Sequence, residues 1–273
     1  YNQPVLKTGP DDARTIAQRS PWPMWNRIQE VDGNVNSNYH AFSTKLTQRL
    51  SKGLTYLVGF TFSKAIDDRS AIRTNNGDNL YPRDSYDLGI ERSLSQFDQR
   101  RRLVASVLYE LPLRAPSKIL DGIVGGWQVG SILTFGDGTA WNVGNIGDTN
   151  AVNQLGNYPH ATGISPFPAK PTAQRFWNVE AFDTTNRNLS WLSGNVGRNV
   201  LRTPGTRQWD FSLLKNFRVR EGHALQFRFE AFNFSNHPNW NVPSNNSRSA
   251  AQFGVINSAR TMREMQFGLK YLF

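Results

Sequence analysis

The residues of this 273-residue chain that could carry chemistry are few and dispersed. Its four histidines, His40, His160, His223 and His237, are scattered along the sequence. None has the HExxH spacing that sets two imidazoles on one helix face around zinc. There is no GxSxG turn to expose a serine nucleophile, and no glycine-rich loop to cradle a phosphate. Cysteine is absent, which removes thiolate metal sites, disulfides and cysteine nucleophiles together. Two acidic pairs remain, Asp11-Asp12 and Asp67-Asp68, the second close to Lys64. Both fall in predicted loops, where paired carboxylates usually face water, and their oxygen spacing is incomplete for Ca2+. The sequence thus offers no catalytic centre, metal site or cofactor site, and points away from an enzyme.

Its distinctive feature is aromatic. Phe, Trp and Tyr make up 12% of the chain although all hydrophobic residues reach only 38%. That excludes intrinsic disorder, and no apolar run approaches the ~18 to 20 residues of a membrane-spanning helix. One long polar stretch, about 144–206, holds Phe167, Phe176, Trp177 and Trp191, with Trp141 nearby. Aromatic faces stack on sugars and peptides, so this stretch is the candidate ligand loop; a loop lid packed on itself is the other reading. The net charge of +10 suits an anionic partner. Nucleic acid is disfavoured, because no basic stripe with stacking aromatics and no nucleic-acid fold motif is present.

The elements that must position these residues are strands, since the hydrophobic pattern repeats every two residues. Seven are predicted: about 39–51, then 54–63, 102–111, 127–135, 209–220, 225–231 and 264–273. On one face lie Tyr56, Phe60, Phe62, Val107, Tyr109, Trp127, Leu133, Trp209, Phe211, Phe227, Phe229, Phe267, Tyr271 and Phe273. On the other lie Arg102, Glu110, Asp210, Arg218, Arg228, Glu230, Gln266 and Lys270, and Lys215 is the one misfit on the apolar side. Lys52-Gly53 and Glu221-Gly222 are tight hairpin turns. The long connections, 1–38, about 66–98, about 144–206 and about 236–261, all fall at the opposite ends of the strands, and the prolines fall in connections or at strand ends. A soluble β-sandwich also alternates. Short turns on one rim and long loops on the other are the asymmetry of an outer-membrane barrel, which makes the first set lipid-facing and the second lumen-facing.

The last strand resembles the terminal signal read by the outer-membrane barrel assembly machinery, with Gly268, Tyr271 and the final Phe273 in place and Phe267 where a polar residue is preferred. Longer stretches resemble one family: SLSQFDQRRRLVASVLYELP (93–112), GGWQVGSILTFGDGTAWNV (125–143), GNVGRNVLRTPGTRQWDFSLLKNFRV (194–219), LQFRFEAFNFSNHPNW (225–240) and FGVINSARTMREMQFGLKYLF (253–273). They are similar to TonB-dependent outer-membrane receptors, in particular the Oar-like, acidobacterial type that carries a carboxypeptidase-regulatory-like domain. The resemblance covers about two-thirds of the chain.

It implies an all-β, antiparallel transmembrane barrel segment, about seven strands of a plugged barrel of ~22. Residues 1–38 would be an extracellular loop, 39–273 barrel strands and loops, and the C-terminus periplasmic. Plug, coupling box and signal peptide would lie outside the chain. The implied role is energy-coupled uptake of a ligand across the outer membrane of a Gram-negative bacterium, with surface adhesion as the alternative. The implied partners are the TonB-ExbB-ExbD complex, the barrel assembly machinery, outer-membrane lipid and lipopolysaccharide. Loop cations such as Arg69, Arg73, Arg83, Arg175, Arg187 and Arg198 would then sit beside lipopolysaccharide phosphates.

Overall fold

The computed structural model of this chain describes residues 3–273 apart from positions 6, 10, 26–27, 29, 31, 71–81, 145–157, 184–193 and 248. In chain order the strands are β1 (Ser37–Ser51), β2 (Leu54–Asp67), β3 (Ser93–Leu94), β4 (Arg101–Glu110), β5 (Trp127–Gly136), β6 (Ala140–Trp141), β7 (His160–Ala161), β8 (Phe182–Asp183), β9 (Leu201–Arg202), β10 (Thr206–Arg220), β11 (His223–Phe232) and β12 (Glu264–Leu272). Among the described residues two short α-helices accompany them, α1 (Ile16–Arg19) and α2 (Lys118–Val124).

The seven long strands form one antiparallel sheet in the order β1-β2-β4-β5-β10-β11-β12, with β3 paired to the end of β2. Each long strand lies beside the next long strand in the chain. The short links β1 to β2, β4 to β5 and β10 to β11 therefore share one rim, and the long connections share the other. Lys52 (φ 52°) and Gly53 (φ 79°) both adopt the left-handed backbone that a two-residue hairpin turn of this kind needs. A Cβ on Gly53 would come within 2.8 Å of the Glu110 carbonyl oxygen, so the neighbouring strand also demands glycine there.

The long strands run from 9 residues in β12 to 15 in β1 and β10, and β1, β2, β5, β10 and β11 exceed their expected spans. The extra length has local causes. β2 continues past β4 to pair with β3 (Ile66 opposite Leu94), and β10 starts three residues early because Thr206, Arg207 and Gln208 pair with Gly136, Phe135 and Thr134 of β5. The 113–126 link, expected to be a plain connection, contains α2. Ser117 caps it by accepting from the Leu120 amide (3.1 Å), and Gly125 and Gly126 end it, the latter at φ 72°.

Cross-strand register fixes which residues share a face. Tyr56 opposes Val107, Phe60 opposes Leu103, Trp209 opposes Leu133, Phe211 opposes Ala231, Phe229 opposes Phe267, and Leu225 opposes Tyr271. The buried core lies elsewhere. Val143, Tyr158, Trp177, Ala181, Phe182, Val196, Leu201 and Phe253 pack together, and all of them belong to the long connections or their short strands.

Candidate functional site

The sheet presents two chemically distinct surfaces. On one, aromatic side chains form a continuous ladder: Phe229 meets Phe267 at 5.1 Å between ring centroids, Phe211 meets Phe234 at 5.2 Å, and Trp127 meets Phe227 edge-on at 6.5 Å. Trp209 places its ring 4.8 Å from Phe234 and donates from Nε1 to Ser131 Oγ at 2.9 Å. Near the short-link rim, the Tyr271 hydroxyl lies 2.8 Å from His223 Nδ1. Phe273 follows β12 and stacks on Tyr271 at 6.0 Å.

The opposite surface is a ladder of polar pairs. Arg228 donates to Glu230 at 2.6 Å and Gln266 donates to the other Glu230 oxygen at 2.5 Å. Gln128 donates to Glu110 at 3.1 Å, and Gln208 to Asp210 at 2.7 Å. Arg102 lies opposite Thr61 and Gly136, Lys270 opposite Gln226, and Gly268 opposite Arg228, all on this surface, and the backbone of Arg218 pairs with that of Ala224. The division is less strict than the sequence pattern implies, because Leu57, Leu108 and Ile132 also fall on the polar side and are exposed there. They cluster in β2, β4 and β5 beside Ser106, a local apolar patch on an otherwise hydrated wall.

The misfit Lys215 has a specific task. It is 1% exposed on the aromatic surface, where Nζ donates to the Ile123 carbonyl (3.0 Å) and the Gly125 carbonyl and lies 5.3 Å from the Trp127 ring. The ammonium thus meets carbonyls left unpaired at the C-terminus of α2, where positive charge is favoured.

Above the sheet, the long connections are stapled together by buried guanidinium groups. Arg198 donates to the Asp67 carboxylate and carbonyl, the Glu91 carbonyl (2.9 Å) and Ser70 Oγ (3.3 Å). Arg83 pairs with Glu91 at 3.2 Å, donates to the Gly194 and Val196 carbonyls at 3.0 Å each, and lies over the Tyr158 ring at 4.4 Å. Arg202 joins the Asp98 carboxylate and carbonyl. Gln3 bonds Arg83 and Ser85, which ties in the first segment, and Phe253 brings in the last loop against Trp177 and Phe182.

These contacts correct two expectations. Arg83 and Arg198 are 5% and 1% exposed, so they hold loops together and do not face lipopolysaccharide. Trp177 is 1% exposed, with Nε1 donating to the Arg202 carbonyl, which makes it a core residue and no part of a ligand surface; Phe176 packs beside it. A buried carboxylate needs a partner, and the loop arginines satisfy that need. Phe167 is exposed, Arg69 is half-buried, and Arg175 is exposed in a pair with Glu180. Trp191, Arg73 and Arg187 lie outside the described residues. The four histidines stay apart, on β1, β7, β11 and the turn after β11, where the His237 amide donates to Asn233 Oδ1.

Asp12 binds Arg14, Asp67 binds Arg198, and Asp68 binds Arg92; among the described residues no cluster of His, Asp and Glu could hold a metal ion. Sequence reasoning missed an open recess lined by Trp22, Trp25, Ile28 and Glu30, whose only signal is the PWPMW run at 21–25.

A sequence profile for the outer membrane beta barrel domain matches residues 1–266. The chain belongs to that family. Comparison with curated proteins gives no match. Membership fits the layout of this outer membrane beta-barrel protein, in which Phe62, Phe267 and Tyr271 of the sheet are exposed while the buried cluster around Trp177 lies in the connections.

Two measurements probe the loop body. Arg198→Ala strands the buried Asp67 carboxylate and is expected to lose ~3 to 5 kcal/mol of local stability. This would be read as faster protease cleavage of the loops in the full-length protein, and an Arg198→Leu/Asp67→Leu double variant should recover most of the resistance. Asp68 is governed by three effects. Burial opposes its ionisation, but the Asn36 amide (2.9 Å) and the Arg92 guanidinium (2.9 Å) prevail and hold its carboxyl below the ordinary value. Its stabilisation is therefore complete above pH ~4 and is lost as pH falls below that range. The hydrogen-exchange protection factor of the Asn36 amide should stay flat from neutral pH downward and drop only in acid, and Asp68→Asn should lower it at neutral pH and remove the acid drop.

Proposed function

We propose that this chain is the C-terminal barrel part of a TonB-dependent, Oar-like receptor that takes up a ligand across the outer membrane. The observation that carries the reading is a two-faced sheet topped by long connections that lock into one body. Lipid covers the aromatic face, and the polar face lines the lumen against a plug. The short-link rim and the C-terminus are periplasmic, and further strands, to ~22, satisfy the free edges of β1 and β12. The patch of Leu57, Leu108 and Ile132 suits a wall that meets a protein plug in places and water in others. Ligand is captured by the outer loops, force from TonB rearranges the plug, and the ligand passes through. The burial of Trp177 favours the alternative, a surface or adhesion role, because it removes a large aromatic from the ligand-facing side.

The two roles separate on TonB. Full-length protein should be retained by the immobilised periplasmic domain of TonB, and lose retention when its coupling segment is deleted. Absence of retention overturns the transport role and leaves adhesion. The face assignment has its own check. Phe229→Arg should destabilise the vesicle-inserted full-length barrel by ~2 to 4 kcal/mol in urea unfolding. Arg228→Ala, which removes one exposed pair with Glu230, should change it by under ~1 kcal/mol. Equal effects would reverse the faces.

A further inference from the structure

The helix in the β4 to β5 link is built inside out. Ile119, Leu120, Ile123 and Val124 share one side of α2, while Lys118, Asp121 and Gly122 share the other. A surface helix ordinarily covers its apolar side with its own protein. Here Ile119 is 80% exposed, Ile123 59% and Leu120 53%, and nearby Leu113 is exposed as well. Asp121 is the residue turned inward, accepting from the Ala115 amide at 2.9 Å and lying 3.8 Å from Arg114.

The helix is fastened to the aromatic face of the sheet. Lys215 Nζ and Trp127 Nε1 both donate to the Ile123 carbonyl, at 3.0 and 3.1 Å, and both residues belong to that face. The exposed apolar side chains are thus continuous with the surface assigned above to lipid, at the short-link rim. Two exposed cations, Lys118 and Arg114, border them. Apolar side chains edged by cations, level with the end of a lipid-facing sheet, match the boundary between acyl chains and phosphate headgroups.

We propose that α2 is an interfacial anchor lying on the periplasmic leaflet of the outer membrane. Ile119, Leu120 and Ile123 enter the acyl boundary, and Lys118 and Arg114 contact lipid phosphates. The partner is the phospholipid leaflet itself. The inference rests on the lipid-facing reading of the aromatic face, and its test separates the two.

Ile119→Cys, Ile123→Cys, Gly122→Cys and Phe229→Cys are made singly in full-length protein otherwise free of cysteine. Each is labelled with an environment-sensitive fluorophore and inserted into vesicles of phosphatidylethanolamine and phosphatidylglycerol. Labels at 119 and 123 should be quenched several-fold more by a nitroxide near the lipid headgroup than by aqueous iodide, with the reverse at 122. The label at 229 should respond to a nitroxide deep in the acyl chains. Iodide access at 119 and 123 with lipid quenching at 229 overturns the anchor and leaves the sheet reading intact. Shielding of 119 and 123 from both quenchers means a protein cover and also overturns it. Iodide access at 229 overturns the sheet reading and the anchor together.

Discussion

In hydrocarbon a backbone amide or carbonyl finds no water, so every such group must be paired within the protein. For a chain of the outer membrane beta barrel family, that constraint decides the rest of the structure. It selects long antiparallel strands joined to their sequence neighbours, because each hairpin pairs two strands at once. It also empties the sheet of an interior core. Phe267 and Leu269, 73% and 69% exposed, would be errors on a soluble sandwich and are consistent here with a solvent of lipid.

The loops solve the opposite problem. They are wet on the outside and long, so they must gain enough internal contact to offset the entropy of ordering. They do so with a small aromatic core around Trp177 and with guanidinium groups that each bridge several segments. Arg198 alone connects the end of β2, the turn before β3 and its own loop. One planar cation with several donors can satisfy carbonyls from different chain segments at once, a geometry lysine cannot supply. The basic surplus of the sequence is therefore partly internal architecture.

That division explains what was legible beforehand. Strands announce themselves through local alternation, and the spacing of Phe227, Arg228 and Phe229 already separates the two aromatic rings from the guanidinium between them. The turns at Lys52-Gly53 and Glu221-Gly222 imply antiparallel pairing, but not the register, which shifts beside each of them, between positions 48 and 51 and between 218 and 220. The loop body was not legible, because nothing in the spacing of Arg83, Glu91, Tyr158 and Val196 brings them together. Their contacts join residues up to 113 positions apart. An arginine in a loop looks the same in sequence whether it meets a lipid phosphate or a buried carboxylate. Trp177 leaves the same choice open in sequence, ligand loop or self-packed lid: aromatic content marks a place worth stabilising, and only packing says whether the ring faces a ligand or a core.

Lys215 shows how a single violation of pattern can carry structural information. A lysine among Leu213, Phe217 and Trp127 would normally weaken the apolar face, since burying a charge without partners is prohibitive. The chain answers by folding a helix end over it, so that carbonyls with no intrahelical partner meet a cation with none of its own. Each feature removes a penalty of the other. The pairing also fixes α2 in place, which is why a helix of seven residues, too short to be stable alone, persists at the rim. The break in alternation at 215 is visible in the sequence, whereas α2 is not expected from it. What linked them was the register of β10 against β5, which sets Lys215 opposite Trp127 and so beneath the last turn of the helix.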